Sequence, residues 1–324
     1  MGERDVIRTR RATVRDLPSL VDINKSDVTE WHHFDRHGRG AKATYEKLTE
    51  RERTMHGGPW MSLQSLQGYW LFAQKCEIIC LVAEMDNRVV GHLDVIPTRE
   101  RELGSYLYLD VFMVHRLFRR RGVGTELLKA AERLAIEKGL PRMIVLADYE
   151  GPGGLTYRKF GFKAYLEMCQ LEAKIKDALM PSGIRILNPP SEPPLDSHHM
   201  LCGWFNTPAK LWKDCFEFEE FELQLDWHRF ILSLVTKSGV VHFLLGGGSY
   251  PERSKFDVCM WVPTSIETTD LSKAVKGIEK IAQTLGAETL TTTAFEKDRK
   301  MLEAAGFTWI KRHDPLLSKE LPIN

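Results

Sequence analysis

Residues 106–131 decide the fold. They read Tyr106-Leu107-Tyr108-Leu109-Asp110-Val111-Phe112-Met113-Val114, then His115-Arg116-Leu117-Phe118-Arg119-Arg120-Arg121-Gly122-Val123-Gly124, then Thr125-Glu126-Leu127-Leu128-Lys129-Ala130-Ala131. The first nine are aromatic and β-branched on both faces, as in a strand inside a sheet. From about Gly122 to Lys138 the pattern changes to a helix. Leu127, Ala130, Ala131, Leu134 and Ala135 recur at i, i+3, i+4, i+7 and i+8, which makes one apolar stripe. Gly139 suits a helix C-terminus, and Pro141 just beyond it cannot continue one.

The segment between strand and helix carries the chemistry. A helix N-terminus leaves backbone N–H groups unsatisfied and holds partial positive charge. Glycines at 122 and 124 let an anion approach that backbone with no Cβ in the way. A diphosphate suits such a corner, and Arg119, Arg120 and Arg121 can add forked hydrogen bonds to phosphate oxygens. Neither the dinucleotide pattern GxGxxG nor the P-loop pattern GxxxxGK is present.

Working outward, a short strand is expected over 6–11 and a helix over 16–25. Residues 26–75 form a long polar and aromatic stretch with a charged helical segment at 45–55 and a second helical pattern after Gly57-Gly58-Pro59-Trp60. Strands over 78–84 and 89–96 flank the turn Asp86-Asn87-Arg88, which predicts a hairpin. After the helix, a buried strand at 143–147 leads through Glu150-Gly151-Pro152-Gly153-Gly154 to a short helix that ends in Tyr157-Arg158-Lys159-Phe160-Gly161-Phe162. Short strands at 162–165 and 167–171 close the unit, and the four prolines of residues 188–197 predict a stiff, extended crossing.

Beyond that crossing the pattern partly repeats. A hairpin is expected over 230–236 and 240–245, a strand over 256–262, a helix over 271–285 and a strand over 289–293. Setting Gly139 against Gly286 pairs Leu134 with Ile281 and Ala135 with Ala282, and Gly161-Phe162 then falls within two residues of Gly306-Phe307. That is the mark of a duplication.

The chain has 324 residues, 43% of them hydrophobic, enough to bury a substantial core. Its 45 basic and 44 acidic side chains leave a net charge of +1, so no global field draws it to nucleic acid or to an anionic membrane. No apolar run approaches the roughly 18 residues of a membrane span. The opening residues lack the apolar stretch of a secretory signal, and Val6 stands where a myristoylation signal needs Ser or Thr. The six cysteines are scattered and form no CxxC, which fits buried thiols in a reducing cytoplasm.

The run 113–124 resembles motif A of the GCN5-related N-acetyltransferases, (Gln/Arg)-x-x-Gly-x-(Gly/Ala) after a strand, with Arg119, Gly122 and Gly124 at the defined positions. Tyr157-x-Lys159-x-Gly161-Phe162 resembles the family's motif B, and the order and spacing of the two match. The resemblance covers roughly residues 5–172. It implies an α/β fold with a mixed sheet, two acyl-CoA N-acyltransferase folds in tandem, and acetyl-CoA as co-substrate with no metal. The organisation expected is a catalytic domain over 1–172, a Pro-rich linker over 173–200 and a degenerate second copy over 201–324. Two positions depart from the family: Glu150 stands where Asn is usual, and Gly153 where Ala is common.

The resemblance also implies roles. Backbone amides of Arg119, Arg120, Arg121, Gly122, Val123, Gly124 and Thr125 would hold the diphosphate. Phe112, Met113 and Val114 would pair with the pantetheine arm, and an amide near Phe112 or Met113 would polarise the thioester carbonyl. Tyr157 would protonate the departing thiolate. Asp110 is read from the residues themselves. It is the one charge in the strand 106–114, and a carboxylate there is costly unless paired or solvated at a cleft. It is the candidate base for the attacking amine, and a structural aspartate bonded to backbone is the alternative. His33 and His37 have the spacing of a helical metal pair but no third ligand at recognisable spacing, so Trp31, Phe34, Trp60 and Trp70 are read as a wall of the acceptor pocket instead.

Gly246-Gly247-Gly248 reads as a loop or bulge. In the second copy, residues 266–271 hold neither glycine nor arginine, and Met301 stands where motif B places Tyr157. The expected partner is a small-molecule amine or a peptide, with a homodimer left open and no membrane. Two rival functions stay open: a non-catalytic acyl-CoA sensor, and a nucleic-acid binder using Arg116 with Arg119, Arg120 and Arg121.

Overall fold

The computed structural model describes residues 6–35, 38–192, 194, 196–203, 212, 228–247 and 254–322. Contacts divide the chain into two units. One comprises Met1–Thr98, Ser105–Lys163 and Leu317–Asn324, the other Arg99–Gly104 and Ala164–Leu316.

The first unit contains β1 (Arg8–Arg11), α1 (Leu17–Lys25), the hairpin β2 (His32–Asp35) and β3 (Gly38–Lys42), α2 (Glu50–Met55), α3 (Leu63–Lys75), β4 (Ile79–Met85), β5 (Arg88–Glu100), β6 (Gly104–Val114), α4 (Val123–Glu137), β7 (Arg142–Leu146) and α5 (Pro152–Lys159). Its strands lie in the order β1-β4-β5-β6-β7. β4 runs antiparallel to both β1 and β5, and β6 runs parallel to β7. At the β4–β5 turn Asp86 and Asn87 adopt φ +51° and +60°, the left-handed pair that a tight hairpin needs.

The apolar stripe of α4 buries Val123, Leu127, Leu128, Ala131, Leu134 and Ala135. These share one core with Leu81, Ala83, Leu93, Val95, Leu107 and Leu109 from one sheet face. Each fully buried leucine contributes about 2 kcal/mol. A Cβ on Gly91 would stand 2.8 Å from Val123 Cγ1, so a glycine there lets the first turn of α4 rest on β5. The helix ends as its sequence predicts, with Gly139 at φ +67° and the Leu140 amide donating to Ala135 O at 2.9 Å. Leu317 and Leu321 join the same core, and the Leu321 amide donates to Pro141 O at 2.8 Å.

The second unit holds β8 (Lys163–Lys174), β9 (Arg185–Leu187), β10 (His198–Cys202), β11 (His228–Thr236), β12 (Gly239–Gly247), β13 (Lys255–Pro263), α6 (Thr268–Thr284), β14 (Thr289–Phe295), α7 (Arg299–Ala305) and most of β15 (Thr308–Glu320). Strand order is β8-β14-β10-β13-β12-β11-β9. α6 buries Leu271, Ala274, Val275, Ile278 and Ala282 in a core with Phe243, Leu245, Met260 and Leu290. Gly247, the last residue of β12, pairs with Phe256, whose ring a Cβ there would meet at 2.3 Å.

Several sequence expectations change. The strands expected at 162–165 and 167–171 are one strand, β8, which runs through Leu166 without a break. Residues 173–200, expected as a linker, contain β9 and the first residues of β10. β15 was not anticipated, since Thr308–Arg312 are exposed and Pro315 interrupts the pattern. His33 lies in strand β2, so its spacing to His37 is not that of a helical pair; His37 itself lies outside the described residues. The His33 ring contacts Glu52 Oε1 at 2.9 Å.

Because Leu317 is fully buried in the first core, Leu317→Ala should cost about 2–5 kcal/mol. Denaturant unfolding read from the first unit, through hydrogen exchange of the Leu127 and Leu128 amides, should show the loss there.

Candidate functional site

The parallel ladder between β6 and β7 pairs Leu107 with Met143, Tyr108 with Ile144 and Leu109 with Val145, and ends there. β6 continues to Val114. Buried backbone N–H and C=O groups need partners, so a parted pair of strands leaves a groove lined by main-chain donors and acceptors. Phe112, Met113 and Val114, the residues expected along a pantetheine arm, lie in this continuation.

The chain leaves β6 through a clasped loop. His115 donates its amide to Val90 O at 2.9 Å, and the Arg116 amide donates to Ser26 Oγ at 3.0 Å. Arg119 donates from Nε to Val114 O at 3.0 Å and from Nη2 to Asp27 Oδ1 at 2.6 Å. Much of its guanidinium is thus engaged in fixing the loop to the end of α1. Arg120 and Arg121 are exposed, and Arg121 lies over the Phe118 ring at 5.4 Å. Arg120 and Gly122 adopt φ +64° and +91°, so the turn into α4 alternates left-handed residues, with Gly122 as N-cap. That places the amides of Val123, Gly124 and Thr125 in the first turn of α4. A Cβ on Gly124 would stand 3.0 Å from Phe112 Cζ, so this glycine makes room for the Phe112 ring.

On its other side, the Phe112 ring stands 5.7 Å from that of Tyr157. Tyr157 is buried and also meets Phe162 at 5.4 Å. Burial first, and then the Asp110 carboxylate, push its phenol well above the ordinary range, so the hydroxyl keeps its proton at neutral pH. Burial and Asp110 act on the Tyr108 phenol in the same direction. Asp110 itself is half-buried, and its field reaches both rings. The structure therefore brings together Asp110, Phe112, Tyr157 and the start of α4.

Tyr157 is positioned by the turn that opens α5. Asp148 Oδ1 accepts from the Gly151 amide at 3.0 Å, and Asp148 O from the Gly154 amide at 3.1 Å. A Cβ on Gly154 would stand 2.2 Å from Asp148 O and 2.4 Å from Tyr149 O. The glycine-rich turn is thus a close backbone approach. Glu150 is exposed and stands 3.8 Å from Arg158.

The second unit handles the same geometry differently. β13 and β14 pair in parallel at Lys255–Asp257 against Thr289–Thr291. Beyond that point β10 enters between them, antiparallel to β13 through His198–Cys202 and opposite β14 at Cys202 and Ala294. Before α6 there is no left-handed glycine, and Asp270 in its first turn accepts the Ser238 amide at 2.6 Å.

Sequence reasoning did not single out Cys80, His92 and Asp94, which converge on the other sheet face. Cys80 lies on β4 and His92 and Asp94 on β5, and the only signal available was polar residues inside otherwise buried strands.

Residues 42–162 match the family model described as the acetyltransferase (GNAT) family. No curated protein matches the chain. A GCN5-related N-acetyltransferase from Kribbella flavida is 12% identical with a TM-score of 0.62, over 98% of this chain and 71% of that one. A GCN5-related N-acetyltransferase from Anabaena variabilis is 11% identical with a TM-score of 0.57, over 98% and 73%. A tandem GNAT protein from the clavulanic acid biosynthesis pathway is 14% identical with a TM-score of 0.54, over 98% and 100%. These likenesses, which span nearly the whole chain, show a mixed α/β fold of the tandem acetyltransferase kind.

The turn before Tyr157 gives a direct test. Gly154→Ala forces a methyl against two carbonyl oxygens and should destabilise the chain by about 1–3 kcal/mol in denaturant unfolding. Gly153→Ala, where nothing lies within 4 Å, should not.

Proposed function

We propose that the chain, whose residues 42–162 match the acetyltransferase (GNAT) family model, transfers an acetyl group from acetyl-CoA to an amine. Family and fold point to acyl transfer in general; the acetyl donor and the amine acceptor are the finer part of the proposal. One observation carries it. The β6–β7 ladder ends at Leu109 and Val145, and beyond that end stand the open edge of β6, the Gly122-capped start of α4 and the protonated phenol of Tyr157.

In this reading the amides of Val123, Gly124 and Thr125 hold the diphosphate of coenzyme A, with Arg120 and Arg121 exposed beside them. The main chain of Phe112–Val114 pairs with the pantetheine arm, and an amide there stabilises the tetrahedral oxyanion. The amine nitrogen attacks the thioester carbonyl carbon and gives its proton to Asp110 or to a water that Asp110 orients. The C–S bond breaks, and the thiolate takes the Tyr157 proton. A phenol held above its usual range by burial stays protonated across neutral pH, so the proton is in place when the thiolate departs.

We assign no transfer chemistry to the second unit. Its corresponding wedge is occupied by β10, and Met301 has no proton to give. The acceptor is a small-molecule amine or a peptide. No helix among the described residues is long and apolar enough to cross a membrane, and no disulfide joins the described cysteines.

Release of free thiol from acetyl-CoA across a panel of amines tests the reading. Tyr157→Phe should lower turnover by about a hundredfold or more while coenzyme A affinity stays within about twofold. Equal turnover would remove Tyr157 from the mechanism, and no turnover in the parent chain with any amine would favour a sensor. Gly122→Val, at φ +91°, should weaken coenzyme A binding by at least about tenfold in calorimetry.

A further inference from the structure

The sheet face opposite α4 holds a buried polar cluster that the chemistry above does not use. Cys80 and Asp94 lie opposite one another on the β4–β5 ladder, and His92 precedes Asp94 by two residues on the same face. One atom from each, a thiol sulfur, a ring nitrogen and a carboxylate oxygen, lies within 4.8 Å of the others. His92 is fully buried and Asp94 is 2% exposed. Each keeps one polar atom without a hydrogen bond, and these two atoms, His92 Nδ1 and Asp94 Oδ1, stand 3.8 Å apart. Among the described residues no lysine or arginine pairs with Asp94. Buried polar atoms left dry are costly, so a group that serves both at once is favoured there.

The donor set says what that group is. A thiolate and a carboxylate bring two negative charges, which a divalent cation neutralises where a residual charge would be expensive. Sulfur and imidazole nitrogen exclude magnesium and calcium and suit zinc. Zinc bonds of about 2.0–2.3 Å put tetrahedral ligand atoms roughly 3.5 Å apart, so side-chain movement of about an ångström closes these three onto one ion. Beside them, Leu20 of α1, Trp60, and Leu66 and Tyr69 of α3 enclose a space with Asp94 and Cys80 on its wall, and it has room for a single water molecule. A water there supplies the fourth ligand.

The neighbours of the ligands support the same assignment. The Tyr69 hydroxyl donates to Asp94 Oδ2 at 3.3 Å, which leaves Oδ1 for the ion. The Asn24 side-chain amide meets His92 Nε2 at 2.9 Å, with its Nδ2 also donating to Leu20 O at 2.7 Å. An amide carries a donor and an acceptor. With its N–H toward Nε2, the ring proton sits on Nδ1. With its oxygen turned to Nε2–H, at the cost of the present bond to Leu20 O, Nδ1 is free to ligate. Loading the site therefore asks Asn24 to turn and the Cys80 thiol to release its proton.

We propose that Cys80, His92 and Asp94 bind a zinc ion, with one water as its remaining ligand. The ion ties β4 to β5 and, through Tyr69 and Asn24, ties both to α3 and α1. Its role is structural. The transfer reading uses none of these residues and no metal, so the two stand or fall separately.

Titration of the full chain, stripped with a chelator and returned to zinc in competition with a chromophoric chelator, tests the proposal. About one zinc per chain is expected, with Kd below about 1 μM. Cys80→Ala and Asp94→Asn should each weaken it at least about tenfold. Cobalt(II) in the parent chain should show a thiolate-to-metal charge-transfer band and the intense visible bands of a tetrahedral ion, a reading that needs no variant to fold. Three results would overturn the proposal: no zinc held in that range, a cobalt spectrum without the thiolate band, or undiminished binding by a folded Cys80→Ala. Zinc binding without thiol release from acetyl-CoA for any amine would sink the transfer reading and leave this site standing.

Discussion

Two parallel strands that stop being neighbours set the character of the first unit. Once β6 and β7 part after Leu109 and Val145, the main chain of β6 has a stretch of edge inside the fold. Its polar groups cannot be left dry without cost, so the geometry asks for a ligand that presents its own amides in an extended form. The surrounding features follow from that opening. Gly91 lets α4 sit low on β5, Gly124 admits the Phe112 ring, and Phe112 in turn meets Tyr157. The loop between β6 and α4 is held from α1 through Ser26 and Asp27.

The second unit meets the same demand from within. Its parted strands β13 and β14 accept β10 as an additional strand, so their edges are satisfied by the chain itself. A wedge whose hydrogen bonds are already made offers an incoming extended ligand nothing to pair with. Duplicated sequence patterns therefore lead to two outcomes that differ by one inserted strand.

The parts of the fold legible in the sequence are those set by short-range spacing. The α4 stripe, the Gly139 terminus and the Asp86-Asn87 turn each follow from a few adjacent residues, and so does the glycine-arginine loop. The remainder depends on partners distant in sequence. Nothing near Arg119 announces that Asp27 will take one of its nitrogens. The His33 spacing suggested a helix, yet the backbone there is extended and pairs with β3. β15 was hidden by its exposed first half and by Pro315. Asp94 and His92 sit in a strand with both faces buried, where a polar residue gives no sign of which neighbours will meet it. Asn24, whose side-chain amide meets His92 Nε2 at 2.9 Å, comes from a helix read only for its apolar face.

The place of Leu317 and Leu321 in the core beneath α4 bears on how the protein is made. Those residues are translated only after the whole second unit. A ribosome-bound chain that has just released α5 must therefore hold its first core without Leu317 and Leu321 while the rest is synthesised. Folding of the two units is coupled in time even though each has its own core. The interval before that final segment emerges is when a growing chain would depend most on chaperones.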